Sequence, residues 1–444
     1  MNAAENCEME PNETMEHTGI RTLSLAVCTI ALLSTGCGRL LDREDRESFG
    51  TYGAEENEEE GNADLGEDPQ SGGGISESCW DGVVQPGEVC QVQEPEERPA
   101  GIDPCSLSVA DFDVDGRPDL AVPNSDPFIP PGGTHVANVL RGFGNGDFAP
   151  TKPYEAGAEL PVGLAVGDFD GDGMIDVATA NHEAQEVYVL ANDGGFGAMG
   201  FEDPDAVFLG STASSVTAGD IDNDGIDDMV VNTPQGVALL RGGPGGVLYY
   251  DMVDVGGMAM HSALADLDAD GNLDLITVTG GGFTGSPAQL WVMQGAGDGT
   301  FPVSYQLDVD GSPQWVSVGD LNMDGDLDIA VSTHGPDQVL IFAGSGHGGF
   351  AEPWSYPVCA GPQAVAIGDM NNDGANDMVV ACMEADLVEM YIQALDGEFE
   401  LERWWGTGSR PVSVQVADLN LDGVLDVAWA SQFSNTVGLV LSHP

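Results

Sequence analysis

Seven short acidic stretches hold most of the residues in this chain that could do chemistry. They begin at Asp111, Asp168, Asp220, Asp266, Asp320, Asp369 and Asp418, and they align position by position. Position 3 is Asp113, Asp170, Asp222, Asp268, Asn322, Asn371 and Asn420 in turn. Position 5 is Asp115, Asp172, Asp224, Asp270, Asp324, Asp373 and Asp422, and position 9 is Asp119, Asp176, Asp228, Asp274, Asp328, Asp377 and Asp426. Position 6 is glycine in all seven: Gly116, Gly173, Gly225, Gly271, Gly325, Gly374 and Gly423. A hard dication gathers six to eight oxygens, and a loop that offers them from alternate residues around a sharp glycine turn can supply a Ca²⁺ site. Position 7 (Arg117, Met174, Ile226, Asn272, Asp326, Ala375, Val424) shows no side-chain requirement, as expected of a residue that offers its carbonyl. One such loop is as readily a polar hairpin turn; seven in register point to metal. Positions 1, 3, 5 and 9 together carry 25 carboxylates, which repel one another unless cations sit among them. Up to seven Ca²⁺ ions are therefore expected, and they would bring the formal charge from −64 to −50. The asparagines at position 3 predict weaker binding in the last three loops, because ligand charge tunes affinity.

The segments around these loops have to hold them in place. Position 2 is apolar throughout (Phe112, Phe169, Ile221, Leu267, Leu321, Met370, Leu419), which ties each loop to a core. An EF-hand is excluded: its last ligand is a Glu at position 12 and helices flank it, whereas here the last acid is at position 9. The flanking runs are short, alternating or apolar, and separated by Gly, Asp and Asn, so they read as strands. Val162–Gly167, Asp176–Ala180 and Glu186–Leu190 illustrate the order, and a fourth run follows a Gly-rich turn. The loop starts are 57, 52, 46, 54, 49 and 49 residues apart. Four strands in about 50 residues make one propeller blade. The fold expected is all-β, a seven-bladed β-propeller of four-stranded antiparallel blades. After Asp418 only Asp426–Ala430 and Thr436–Leu441 follow, so the last blade lacks its outer strand. Glu88–Gln93, followed by Pro95, is expected to supply it and close the ring from the N-terminal side.

The loops, with Gly-x-Gly-x-Phe turns at Gly144–Phe148 and Gly297–Phe301, resemble the FG-GAP/VCBS repeats of integrin-α propellers and bacterial surface proteins. The resemblance spans about residues 88–444. The third repeat departs from it, with Gly242–Gly246 and no Phe, as do the asparagines at position 3. It implies a Ca²⁺ between the first two strands of each blade and a ligand face on the opposite side. The function implied is a binding or adhesion scaffold for protein or glycan, acting as a monomer. His182, His261, His334 and Trp315 fall in or near that opposite face, with the loops 123–135 and 280–289. His182 and His334 lie in different repeats, which disfavours a zinc site. Trp291, Trp404 and Trp429 lie within strands and read as packing between blades. No nucleophile, zincin or phosphate-loop motif occurs, so no catalytic residue is assigned. An enzyme acting on polysaccharide (lyase or hydrolase) and a purely structural envelope protein stay open as alternatives.

With 75 Asp and Glu against 11 Lys and Arg, the chain lacks the basic surface that nucleic-acid binding needs. Leu23–Leu33 is an apolar run too short to span a bilayer, and Leu33-Ser34-Thr35-Gly36-Cys37 follows it. That run resembles a bacterial lipobox. It implies a signal peptide over 1–36, lipid on Cys37 as the sole membrane attachment, and a place in the cell envelope, at the outer membrane or cell surface. The acidic residues before Met15 suggest that Met15 is the start. Residues 37–78 are acidic and poor in large apolar groups and read as a tether. Residues 79–94 form a Cys-bracketed segment that resembles short modules of myxobacterial secreted proteins, and 95–444 the repeat array. Cys79 with Cys90 is the leading disulfide pair, Cys359 with Cys382 a second candidate, and Cys105 has no evident partner.

Overall fold

Alternating apolar residues, with Gly and Asp at many of the reversals, commit this chain to hairpins, and the hairpins stack into a ring. The structure, a computed structural model, describes residues 94–126, 135–157, 160–194, 199–201, 204–280, 288–394 and 397–442. Among the described residues every regular element is a strand, and the strands form seven four-stranded antiparallel sheets. The sheets are the blades of a seven-bladed β-propeller, as the repeat predicts. The innermost strands are Ser108–Ala110, Pro161–Gly167, Ser215–Gly219, Ala259–Ala265, Ser312–Gly319, Pro362–Gly368 and Pro411–Ala417. The second strands are Asp119–Asn124, Asp176–Asn181, Asp228–Thr233, Asp274–Thr279, Asp328–His334, Asp377–Cys382 and Asp426–Ser431. Each second strand thus begins at position 9 of an acidic loop, so the loop is the hairpin connection between the first two strands of its blade.

The core is not central. It is divided into seven wedges, one between each pair of neighbouring blades. Period-2 alternation makes this possible, because a second strand buries both faces. Val177 packs toward blade 1 with Phe112 and Val139, whereas Ala178 and Ala180 pack toward blade 3 with Met229 and Val231. All six residues of Asp274–Thr279 are buried. Each large aliphatic side chain so placed contributes about 1.5–3 kcal/mol. Truncating Ile276, fully buried between blades 4 and 5, to Ala would cost about 2–5 kcal/mol. The position 2 residues all sit in these wedges, from fully buried Phe112 and Phe169 to 5% exposed Ile221.

Ring closure follows the expected principle at a different segment. The outer strand of blade 7 is Glu96–Pro99, paired antiparallel with Thr436–Val440. The expected strand, 88–93, lies outside the described residues. Apolar content misplaces the strand because outer strands here face solvent: Lys152–Glu155, Asp205–Phe208 and Trp354–Pro357 are equally exposed. What holds Glu96–Pro99 is polar. Arg98 bridges Glu96 and Asp147 at 2.7 and 3.0 Å and lies over the Phe148 ring. The wedge between blades 7 and 1 completes the closure.

The tryptophans divide. Trp429 is fully buried between blades 6 and 7, and Trp291 packs against the wedge between blades 3 and 4, as expected. Trp404 does not pack: it is 60% exposed on the outer strand Phe399–Gly406, and its neighbour Trp405 is the buried one. Adjacent residues of a strand face opposite sides, so only one of the two can enter the wedge. Cys359 and Cys382 form a disulfide, and Cys105 is disulfide-bonded as well. Cys37, Cys79 and Cys90 lie outside the described residues.

Candidate metal centre

Each acidic loop is a turn built by its own carboxylates. Position 1 is the anchor: Asp111, for example, accepts the N–H of Asp115 on Oδ1 (3.0 Å) and that of Gly116 on Oδ2 (2.8 Å). The same pair of bonds recurs at Asp168, Asp220, Asp266, Asp369 and Asp418. Position 5 accepts the N–H of position 7 in all seven loops. This geometry needs two left-handed residues. Position 6 has φ between 83° and 91° throughout, and a Cβ there would meet nothing within 4 Å, so glycine is required for conformation and not for space. Position 4 is also left-handed, with Val114 at 53° and Leu421 at 60°. No residue type marks that position in the sequence, so pattern reading misses it.

Position 9 has a second duty that the sequence does not reveal. One carboxylate oxygen accepts the N–H of position 2, at 2.8–3.2 Å in all seven blades. The other accepts an N–H from the end of the third strand or just beyond it: Gly142, Asn192, Gly242, Gly295, Gly344, Gln393 and Ser442, at 2.7–2.9 Å. The buried aspartate thereby clasps the loop to the turn beside it. Burial pushes its carboxyl up against the pull of those two N–H groups: to about 7 for Asp119, Asp176, Asp377 and Asp426, and to about 6 for Asp228 and Asp328. Neighbouring loop carboxylates raise it further. Loops are also stitched across blades, as where Asp168 and Asp227 exchange N–H···O bonds at 3.0 and 2.9 Å.

The residues fit a dication. In blades 1 to 4, three carboxylates each bring one oxygen to within 4.8 Å of the others. The sets are Asp111, Asp113 and Asp115; Asp168, Asp170 and Asp176; Asp220, Asp222 and Asp228; Asp266, Asp268 and Asp270. Oxygens bound at about 2.3–2.6 Å to one Ca²⁺ lie at most about 5 Å apart, so such sets can share an ion. Oδ1 of Asp268 and both carboxylate oxygens of Asp113 are buried without a hydrogen-bond partner, the condition of a ligand atom that needs a cation beside it. In blades 5 to 7 an amide at position 3 replaces one charge. Asn371 and Asn420 turn their amide nitrogens to the position 5 carboxylates at 3.1 and 3.0 Å.

Side chains beyond the loops also reach the position 3 acids. Arg141 lies 2.6 Å from Asp113 and 2.8 Å from Asp115, Arg241 lies 2.8 Å from Asp222, and Gln294 donates to Asp268 at 2.9 Å. All three occupy one column, the residue before the N–H that position 9 accepts. The signal exists in the sequence only once the third strands are aligned.

The opposite ends of the blades hold the remaining singled-out residues. His182 is buried, with Nδ1 3.1 Å from the Ala213 carbonyl of the next blade, and does not sit on the rim. Burial holds it and His334 below the usual imidazole range. His261 stacks on Trp315 with ring centres 3.6 Å apart, and both line the central channel, a cavity of about 420 Å³ walled by the innermost strands. Most of the two long loops, 127–134 and 281–287, lies outside the described residues.

The FG-GAP-like repeat model matches residues 168–231, 266–331, 320–380 and 369–429, each span holding two successive acidic loops. No curated protein matches the chain. Among solved structures, BBS1N in complex with ARL6DN is similar at 14% identity and a TM-score of 0.51, over 79% of this chain and 96% of that one. A protein from Lactobacillus plantarum is similar at 13% identity and 0.49, over 70% and 86%. An Agrocybe aegerita lectin, described as recognising non-reducing terminal N-acetylglucosamine, is similar at 18% and 0.46, over 76% and 93%. The first of these likenesses is one of fold alone.

Proposed function

The chain belongs to the FG-GAP-like repeat family, and from that premise we propose that it is a calcium-binding propeller serving as a binding scaffold for a protein or glycan at the cell envelope. The observation that carries the calcium reading is the convergence of three carboxylate oxygens within 4.8 Å in the loops of blades 2 and 4, where among the described residues no arginine pairs with the position 3 acid. Position 1, 3, 5 and 9 side chains and the position 7 carbonyl would hold the ion. Ca²⁺ supplies charge neutralisation there and no redox chemistry. The protein's own part is to preform each turn by N–H···O bonds, so that little ordering remains when the ion arrives. The propeller itself supports a binding role: a rigid ring fixes seven sets of loops on each face, and loops on rigid scaffolds are where binding residues concentrate. The ligand surface belongs to the face opposite the acidic loops. Attachment is through lipid on Cys37, supported by the apolar run and small residues that precede it.

Calorimetry with Ca²⁺ tests the metal reading, and the absence of binding heat would remove it. Probing protein and glycan arrays with the intact protein, with Ca²⁺ and with chelator, tests the scaffold reading. Retention without turnover supports it; release of products from a polysaccharide would instead favour an enzyme.

A further inference from the structure

We propose that Arg141 and Arg241 are resident cations that take the place of calcium in blades 1 and 3, so that the chain binds five calcium ions and not seven. The inference rests on the calcium reading above. In blade 1 the Arg141 guanidinium lies 2.6 Å from Asp113 Oδ2 and 2.8 Å from Asp115 Oδ2, the acids of positions 3 and 5. In blade 3, Arg241 Nε lies 2.8 Å from Asp222 Oδ2, while Asp222 Oδ1 already accepts the N–H of Asp224 at 3.2 Å. Asp222 is thus already paired with a cation as well as with its own loop backbone. Arg241 Nη2 also donates to the Asp298 carbonyl of blade 4 at 3.2 Å, which anchors the head group from the far side.

The other blades lack this device. The same column holds Ala191, Gln294, Ala343, Ile392 and Leu441, none of them cationic. In blade 2, Asp170 accepts one N–H on Oδ1, and among the described residues no cationic side chain pairs with it. An arginine is charged at every working pH, and its planar fork meets carboxylates with strong, short contacts. For calcium to enter blade 1 or 3, the ion must shed water and also break these contacts. In blade 2 it meets four carboxylates and, among the described residues, no cationic competitor.

Native mass spectrometry of the intact protein at rising Ca²⁺ counts bound ions directly. Five are expected for the unaltered protein, six for Arg241→Met, and four for Ala191→Arg, which plants the plug in blade 2. A count of seven in the unaltered protein overturns the proposal and leaves the calcium reading standing, as would Arg241→Met and Ala191→Arg proteins that bind as many ions as the unaltered one. A count of zero overturns the calcium reading, and this proposal with it.

Discussion

Removing the carboxylate of Asp377 should destabilise the protein even when no metal is present. Asp377 is fully buried and accepts two backbone N–H groups, from Met370 at 2.9 Å and Gln393 at 2.8 Å. Asp377→Ala leaves both donors without a protein partner in the wall of blade 6. Each buried, unsatisfied donor costs about 1–3 kcal/mol, so the pair costs about 2–6 kcal/mol. The low end applies at pH 8, because burial pushes this carboxyl up to about 7 and removing an ionised one there relieves a desolvation cost. Asp377→Asn should recover about half of the loss, since one amide oxygen can still accept while the NH₂ faces the second donor. Urea denaturation of both variants, in chelator and in saturating Ca²⁺, measures these differences. The idea fails if Asp377→Ala costs less than about 1 kcal/mol in chelator and loses stability only with calcium; Asp377 would then be a ligand and not a clasp.

Three other outcomes follow from the same geometry. Gly423→Ala should cost about 1–2 kcal/mol through backbone strain alone, because φ is 88° and the added methyl meets no atom within 4 Å; an unchanged urea midpoint would contradict this. In chelator the protein should be more stable at pH 5 than at pH 8. Six of the position 9 carboxyls are raised from 3.8 to about 6 or 7, and Asp274 is raised as well, so the folded state holds protons more tightly than the unfolded one. That stabilisation is complete below pH 3.8 and is lost as the pH climbs through 6 to 7; a higher melting temperature at pH 8 would reverse the argument. Replacing Cys359 and Cys382 together by Ser should cost about 3 kcal/mol, from the closure of a loop spanning 23 residues, read as a lower urea midpoint under non-reducing conditions.

The sequence by itself determined the repeat, the blade and the acidic loop. Each of these is local: a strand is legible from alternation, and a turn from Gly at the one position where φ must be positive. Asp at positions 1, 5 and 9 and Gly at position 6 recur because every blade solves the same short-range problem with the same backbone. What tertiary structure alone decided involves partners far apart in the chain. The clasp from Asp377 to Gln393 and the contact from Asp113 to Arg141 need a third strand folded back beside the loop. Glu96–Pro99 became a strand only because Thr436–Val440 offered a free edge some 340 residues later, and its own polar residues gave no apolar signal. Trp404 and Trp405 are chemically identical, yet strand register sends one into a wedge and the other into solvent. Local backbone preference acts within a few residues and is written in the pattern, whereas pairing between distant edges depends on which surfaces the closed ring brings together.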